Sequence, residues 1–154
     1  MFQIRLFEPG DEAAMITLFQ RSIREVASLH YTPDQIKVWA PDEIDVEAWT
    51  KRCQSRPTWL VWSGDQLAGF VDLEADGHLD LLYVSPDFQR AGVAKLLYQQ
   101  VEKQAVLNGN SKIYVEASLS ARGFFERQGF YVIEQQEVER GGQLLTNFRM
   151  EKML

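Results

Sequence analysis

One stretch restricts the fold more than any other: His78 to Asn108, HLDLLYVSPDFQRAGVAKLLYQQVEKQAVLN. His78-Leu79-Asp80-Leu81 alternates polar and apolar residues, then runs apolar through Leu82, Tyr83 and Val84, the pattern of a strand passing from a surface into a core. Ser85-Pro86-Asp87 ends it, because proline has no amide to give to a ladder. From Val93 the apolar residues recur as Leu96, Leu97, Val101 and Ala105, spacings of three and four that trace one helix face. The chain must therefore accommodate a strand, a tight loop and an amphipathic helix in that order.

The loop Gln89-Arg90-Ala91-Gly92-Val93-Ala94 lies at the head of that helix. The first amides of a helix lack intrahelical acceptors, and the helix dipole makes that end partially positive. Small residues let a ligand approach the backbone, and Arg90 and Lys95 add full charges. The combination suits an anion, most naturally a phosphate or pyrophosphate; the plainer reading is that Gly92 ends a loop and Ala94 packs. No Gly-Lys-Ser/Thr follows a glycine-rich run, which excludes a nucleoside-triphosphate P-loop, and no three-glycine dinucleotide fingerprint occurs.

Gln89-x-x-Gly92-x-Ala94, after Leu81-Tyr83-Val84 and Pro86, resembles the acyl-CoA-binding loop of the GNAT-type N-acetyltransferase superfamily, Gln/Arg-x-x-Gly-x-Gly/Ala. Ser118 to Phe130, with Phe124-Phe125 and Gly129-Phe130, resembles that family's later segment of strand end, short helix and Gly-Phe. The motifs come in the family's order, and Phe2-Gln3-Ile4-Arg5 through Asp11 is similar to its opening strand and turn, so the resemblance covers nearly the whole chain.

At 154 residues the chain is expected to form one domain, residues 1–154, with a sizeable core. No apolar run is long enough to span a bilayer and no leader opens the chain, so a soluble cytoplasmic protein is expected, without membrane binding. Cys53 stands alone and is expected to pack rather than react. His30 and His78 are far apart and no cysteine pair exists, so no metal site is expected. Sixteen basic against twenty-two acidic residues give a net charge of -6, which argues against nucleic acid and for cationic small molecules, if it does more than aid solubility.

Along the chain, Phe2 to Leu6 reads as a strand, with Asp11 as N-cap of a helix running to about Ser28 through Met15, Leu18, Phe19, Ile23 and Val26. Thr32-Pro33-Asp34-Gln35 opens a short second helix ending near Trp39, and Asp45 to Gln54 reads as a third. Thr58–Trp62 and Gln66–Leu73 form a hairpin. Ile113 to Ala117 is a buried strand that a right-handed crossover places parallel to His78–Val84. Tyr131–Glu139 and Leu144–Lys152 close the chain as a hairpin around Arg140-Gly141-Gly142. The expected fold class is α/β: a central mixed, mostly antiparallel twisted sheet flanked by helices, with one parallel strand pair. By the resemblance that pair splays around the cofactor. The closing hairpin or an edge strand offers a route to a homodimer.

The resemblance implies an N-acetyltransferase moving an acetyl group from acetyl-CoA to an amine of a small molecule or protein. Backbone groups of Leu82, Tyr83 and Val84 would meet the pantetheine arm and thioester, and amides from Arg90 to Lys95 the pyrophosphate. Ser118, Phe124 and Phe125 would complete the cofactor site, though Ser118 could equally cap the short helix. Tyr31, Trp39 and Trp49 become candidates for the acceptor pocket, or alternatively core residues. A free amine with pKa near ~10 is mostly protonated at neutral pH, so a base or water relay is useful. Alternation puts His78 and Asp80 on one strand face, where His78 could act as base and Asp80 orient it or act through water itself. The alternative is that both are merely polar strand residues. Where many members carry a Tyr acid this chain has Phe125, so the thiolate takes a proton from water or from a group such as Tyr83. Glu116, a carboxylate in an apolar strand, is expected to pair with a buried Arg or a backbone donor. The rival readings are a non-catalytic acyl-CoA-binding sensor, or a domain binding another phosphate ligand at Gly92.

Overall fold

The computed structural model describes residues 1–154. Seven strands and five helices follow in the order β1 (Phe2–Leu6), α1 (Glu12–Glu25), α2 (Pro33–Trp39), α3 (Val46–Ser55), β2 (Thr58–Ser63), β3 (Gln66–Asp72), β4 (Leu82–Val84), α4 (Val93–Leu107), β5 (Lys112–Ser118), α5 (Arg122–Arg127), β6 (Tyr131–Arg140) and β7 (Gln143–Met153). No helix is long and apolar enough to cross a membrane.

The strands form two antiparallel sheets, β1-β2-β3-β4 and β5-β7-β6, joined by a single parallel bridge between His78 and Tyr114. At that junction the Tyr114 amide donates to the Gly77 carbonyl at 3.1 Å and the Leu79 amide to the Tyr114 carbonyl at 2.9 Å. Gly77 has φ +97, and a Cβ there would lie 2.3 Å from the Lys112 carbonyl oxygen. Only glycine permits this approach. Beyond the junction β4 pairs with β3 alone and β5 with β7 alone. The two sheets thus diverge as a V whose apex is at residues 77–79.

The sheet partitions the core because strand side chains alternate. Val61 and Val71 face α4, with Val93, Leu97, Val101 and Ile113, whereas Leu60 and Phe70 face Met15, Phe19, Ile23 and Trp49 on α1 and α3. Each fully buried side chain of this kind contributes about 1.5–3 kcal/mol.

Three expectations are corrected. His78 to Val84 is not one strand: only Leu82–Val84 is. The buried Asp72 carboxylate accepts the amides of Asp80 (3.1 Å) and Leu81 (2.7 Å), taking the place of ladder carbonyls and bending the chain. His78 and Asp80 nevertheless stay on one side of the chain, their side-chain nitrogen and oxygen within 4.8 Å of each other, with Leu79 buried on the other side. The first helix stops at Glu25, and Ala27–Leu29 continues as a 3₁₀ turn. Asp11 makes no side-chain cap. Instead its carboxylate takes two hydrogen bonds from Arg5 (2.8 and 2.9 Å) and one from the Glu8 amide (2.8 Å). An ionic partner has outcompeted the helix amide, since charge-assisted bonds are the stronger. Thr32, by contrast, forms the expected capping box with Gln35.

Candidate active site

Two cavities flank the V and meet across it. Trp39, Leu82, Tyr83, Ser118, Ala121 and Phe125 line both. The donor-side cavity, about 470 Å³, holds twelve of the thirteen residues expected at the cofactor: Leu82, Tyr83, Val84, Gln89, Arg90, Gly92, Val93, Ala94, Lys95, Ser118, Phe124 and Phe125. Ala91 is exposed and does not line it.

The loop geometry follows from its sequence. Ser85 accepts the Asp87 amide and starts a 3₁₀ turn at Pro86–Phe88. The Gln89 amide nitrogen donates back to the Val84 and Ser85 carbonyls, both at 3.2 Å, so this side chain shapes the loop. Arg90 (φ +62) and Gly92 (φ +81) are left-handed. The first α4 bond runs from the Leu96 amide to the Gly92 carbonyl, leaving the amides of Gly92 to Lys95 free. A Cβ on Gly92 would meet nothing within 4 Å, so open space lies over those amides. Arg90, Lys95 and Arg127 stand around this cavity without a carboxylate partner. Free amides, a helix N-terminus and three unpaired cations fit a pyrophosphate-bearing ligand. Arg127 was missed by sequence reasoning; its place on the short α5 carries no local signal.

In β4, the Ser85 amide bonds the Ala68 carbonyl and the Asp72 amide the Leu81 carbonyl. By antiparallel alternation Tyr83 also faces β3, so Leu82 and Val84 turn their backbone groups into the gap toward β5. Ser118 accepts the Ala121 amide at 3.1 Å and so shapes the turn into α5, while lining both cavities.

The second cavity, about 280 Å³, is lined by Tyr31, Trp39 and Trp49 together with Asp80, Tyr83, Glu116, Arg52 and Arg140. Trp49 packs edge-on against Phe19 and Phe70 and is 7% exposed. The Tyr31 hydroxyl donates to the Thr146 carbonyl (2.6 Å) and accepts the Leu119 amide (3.0 Å), tying the segment before α2 and the residue after β5 to β7. Burial pushes the Tyr83 phenol up to about 12; the nearby Trp39, Arg52 and Arg140 act in the opposite direction without offsetting it.

His78 and Asp80 do not pair. Asp80 binds Arg52, and Arg56 at 3.1 Å. His78 bridges Glu74 (2.7 Å, from Nδ1) and Glu116 (3.0 Å, from Nε2) and stacks on Tyr114. Glu116 is exposed and partnered by His78, which corrects the expectation of a buried Arg. Burial alone would lower the imidazole, but its bonds to Glu116 and Glu74 outweigh that and hold it at about 8. Cys53 is buried; burial, with the Asp72 carboxylate, pushes its thiol up to about 11, which makes it a packing residue.

Residues 27–152 match the acetyltransferase (GNAT) domain family. The chain is 36% identical over 148 residues to the uncharacterized N-acetyltransferase YafP of Escherichia coli K12, covering 96% of this chain and 93% of that one. It superposes with a TM-score of 0.94 and 29% identity on a GCN5-related N-acetyltransferase structure from Rhodopseudomonas palustris, covering 99% and 95% of the two chains. The fold is shared, at TM-score 0.81 and 19% identity, with the PaiA N-acetyltransferase of Thermoplasma acidophilum in complex with coenzyme A, over 100% and 99% of the chains. The chain belongs to the GNAT acetyltransferase family, and acyl transfer from an acyl-CoA donor is its class of reaction.

Proposed function

We propose that the protein is an N-acetyltransferase that moves the acetyl group of acetyl-CoA directly to a primary amine bound on the other side of the V. The observation that supports it most is the meeting of two unlike cavities at Leu82, Tyr83 and Ser118, one ringed by free amides and cations, the other by aromatic side chains.

The donor supplies an activated thioester. The amides of Gly92 to Lys95, with Arg90, Lys95 and Arg127, hold its phosphates. Leu82 and Val84 hold the pantetheine arm, and the Val84 amide polarises the thioester carbonyl. Tyr31, Trp39 and Trp49 shape the acceptor pocket. The amine nitrogen attacks the carbonyl carbon, the C–N bond forms and the C–S bond breaks. Proximity does much of the work.

The amine proton leaves toward Glu116, which lines the acceptor cavity and hydrogen-bonds His78. His78 serves as the base behind it; Asp80, held by Arg52 and Arg56, shapes the pocket instead. The thiolate leaves and takes its proton from water. A phenol at about 12 is too weak an acid to give its proton readily to a thiolate of pKa about 8.5, so Tyr83 acts as a neutral hydrogen-bond donor.

Calorimetric titration with acetyl-CoA, with CoA lacking its 3′-phosphate and with ATP tests the donor site; thiol release with a panel of amines tests turnover. Selective CoA binding with turnover supports the reading. Binding without turnover on any amine supports the acyl-CoA sensor, and ATP binding without CoA binding discards both.

A further inference from the structure

The acceptor cavity carries charge of both signs. Asp80 and Glu116 lie toward the apex of the V; Arg140 and Asn147 belong to the β6–β7 hairpin that roofs it. Most of these charges are already engaged, Asp80 with Arg52 and Arg56, Glu116 with His78. Arg140 has no carboxylate partner, yet it lines the cavity and its charge is felt at the Tyr83 phenol. Three further polar atoms on lining residues are buried without a hydrogen-bond partner: Arg52 Nε, which faces the Asp72 carboxylate at 3.9 Å; Trp49 Nε1, a donor on a residue 7% exposed; and Asn147 Oδ1, an acceptor. Unpaired buried polar atoms are costly, and a ligand that pairs them removes the cost.

The roof is held firmly. Gly141, next to Arg140, packs against Val38 of α2, whose Cγ1 lies 2.8 Å from where a Cβ would stand. Gln35 donates to the Leu144 carbonyl at 2.6 Å and Tyr31 to the Thr146 carbonyl at 2.6 Å. A free guanidinium is thus presented from a fixed hairpin across the cavity from two carboxylates.

We propose that the acceptor is an amine that also carries a carboxylate, an amino acid or close analogue, whose carboxylate meets Arg140 and whose nitrogen lies on the Glu116 side. This rests on the acetyltransferase reading above. A guanidinium matches a planar carboxylate in a forked pair. Trp49 Nε1 and Asn147 Oδ1 offer one donor and one acceptor to the rest of the molecule, and Trp39, Trp49 and Phe19 favour an apolar or aromatic side chain. A polyamine would set a second ammonium against Arg140, so the cationic acceptor suggested by the net charge of -6 does not match the cavity.

The test compares matched pairs at fixed acetyl-CoA: phenylalanine with phenethylamine, tyrosine with tyramine, methionine with 3-methylthiopropylamine. The amino acid of at least one pair should lead in kcat/KM by about tenfold or more, the worth of one charge-assisted hydrogen bond. Arg140→Gln should bring that ratio toward one through KM, and Arg140→Lys should restore part of it. Equal use of both partners, a preference that survives Arg140→Gln, or turnover of plain amines alone would overturn the proposal. Calorimetry separates the deeper failure: no acetyl-CoA binding, or binding without turnover of any amine, removes the acetyltransferase reading and this proposal with it.

Discussion

The donor and acceptor sides of the V are built by different means. The donor side is mostly backbone: the free amides of Gly92 to Lys95 and the turned-out groups of Leu82 and Val84 come from one run of fourteen residues, 82–95. The acceptor side is mostly side chain, drawn from α1, α2, α3, β4, β5 and both strands of the closing hairpin. A backbone site tolerates many sequences but needs a particular loop shape, whereas a side-chain site can be re-specified residue by residue on an unchanged scaffold. The same chain can therefore keep a family donor while its acceptor is set by distant residues such as Arg140.

The largest effect should come from breaking the comparison at the point both sides share. Asp72 is 2% exposed, holds the amides of Asp80 and Leu81, and lies within 3.9 Å of Arg52 and 3.7 Å of Arg56. Asp72→Ala leaves buried donors and two guanidiniums without it, and should cost about 3–5 kcal/mol of stability by denaturant unfolding. A loss under about 1 kcal/mol would mean that the apex does not depend on this carboxylate. Next, Gly92→Glu should act on the donor side alone. It forces a side chain into a left-handed φ of +81 and sets a negative charge over the free amides. Acetyl-CoA affinity should fall about a hundredfold or more in calorimetry, roughly 2.7 kcal/mol; unchanged affinity in a folded variant would refute the placement of the phosphates.

The same contrast explains what the sequence made legible. The loop Gln89 to Ala94, the Thr32 capping box and the two hairpins are local, so spacing and turn residues were enough to place them. The break in the His78–Val84 strand was not legible, because its cause is the side chain of Asp72 on the neighbouring strand. Glu116 read as a buried carboxylate because it sits between Val115 and Ala117, but β5 borders the open V and its polar side chain reaches His78. Arg140 and Asn147 gave no signal at all: nothing in an alternating hairpin tells that its tip folds onto Val38 and Gln35.

A smaller effect should sharpen the acceptor side. Tyr31→Phe removes the hydroxyl that serves the Thr146 carbonyl and the Leu119 amide, loosening the hairpin from the apolar wall. It should cost about 1–2 kcal/mol and raise KM for the amine more than it weakens donor binding, read by thermal unfolding and two-substrate kinetics. An equal loss on both sides would show that the hairpin serves the whole V.

The smallest effect separates structural from chemical use of one side chain. The His78 imidazole is held at about 8, above its ordinary 6.5, by the Glu116 and Glu74 carboxylates acting against burial. A folded-state value above the unfolded one means the protonated ring contributes stability. That contribution is fully present below pH about 6.5 and is lost as pH rises through about 8. A base must be deprotonated to act, so kcat/KM should rise over the window in which the stability contribution falls. His78→Gln should flatten both profiles. If the rate keeps its rise through pH 8 while the stability profile flattens, the imidazole serves only to bind Glu74 and Glu116 together at the apex, and the proton leaves the amine by water held at Glu116.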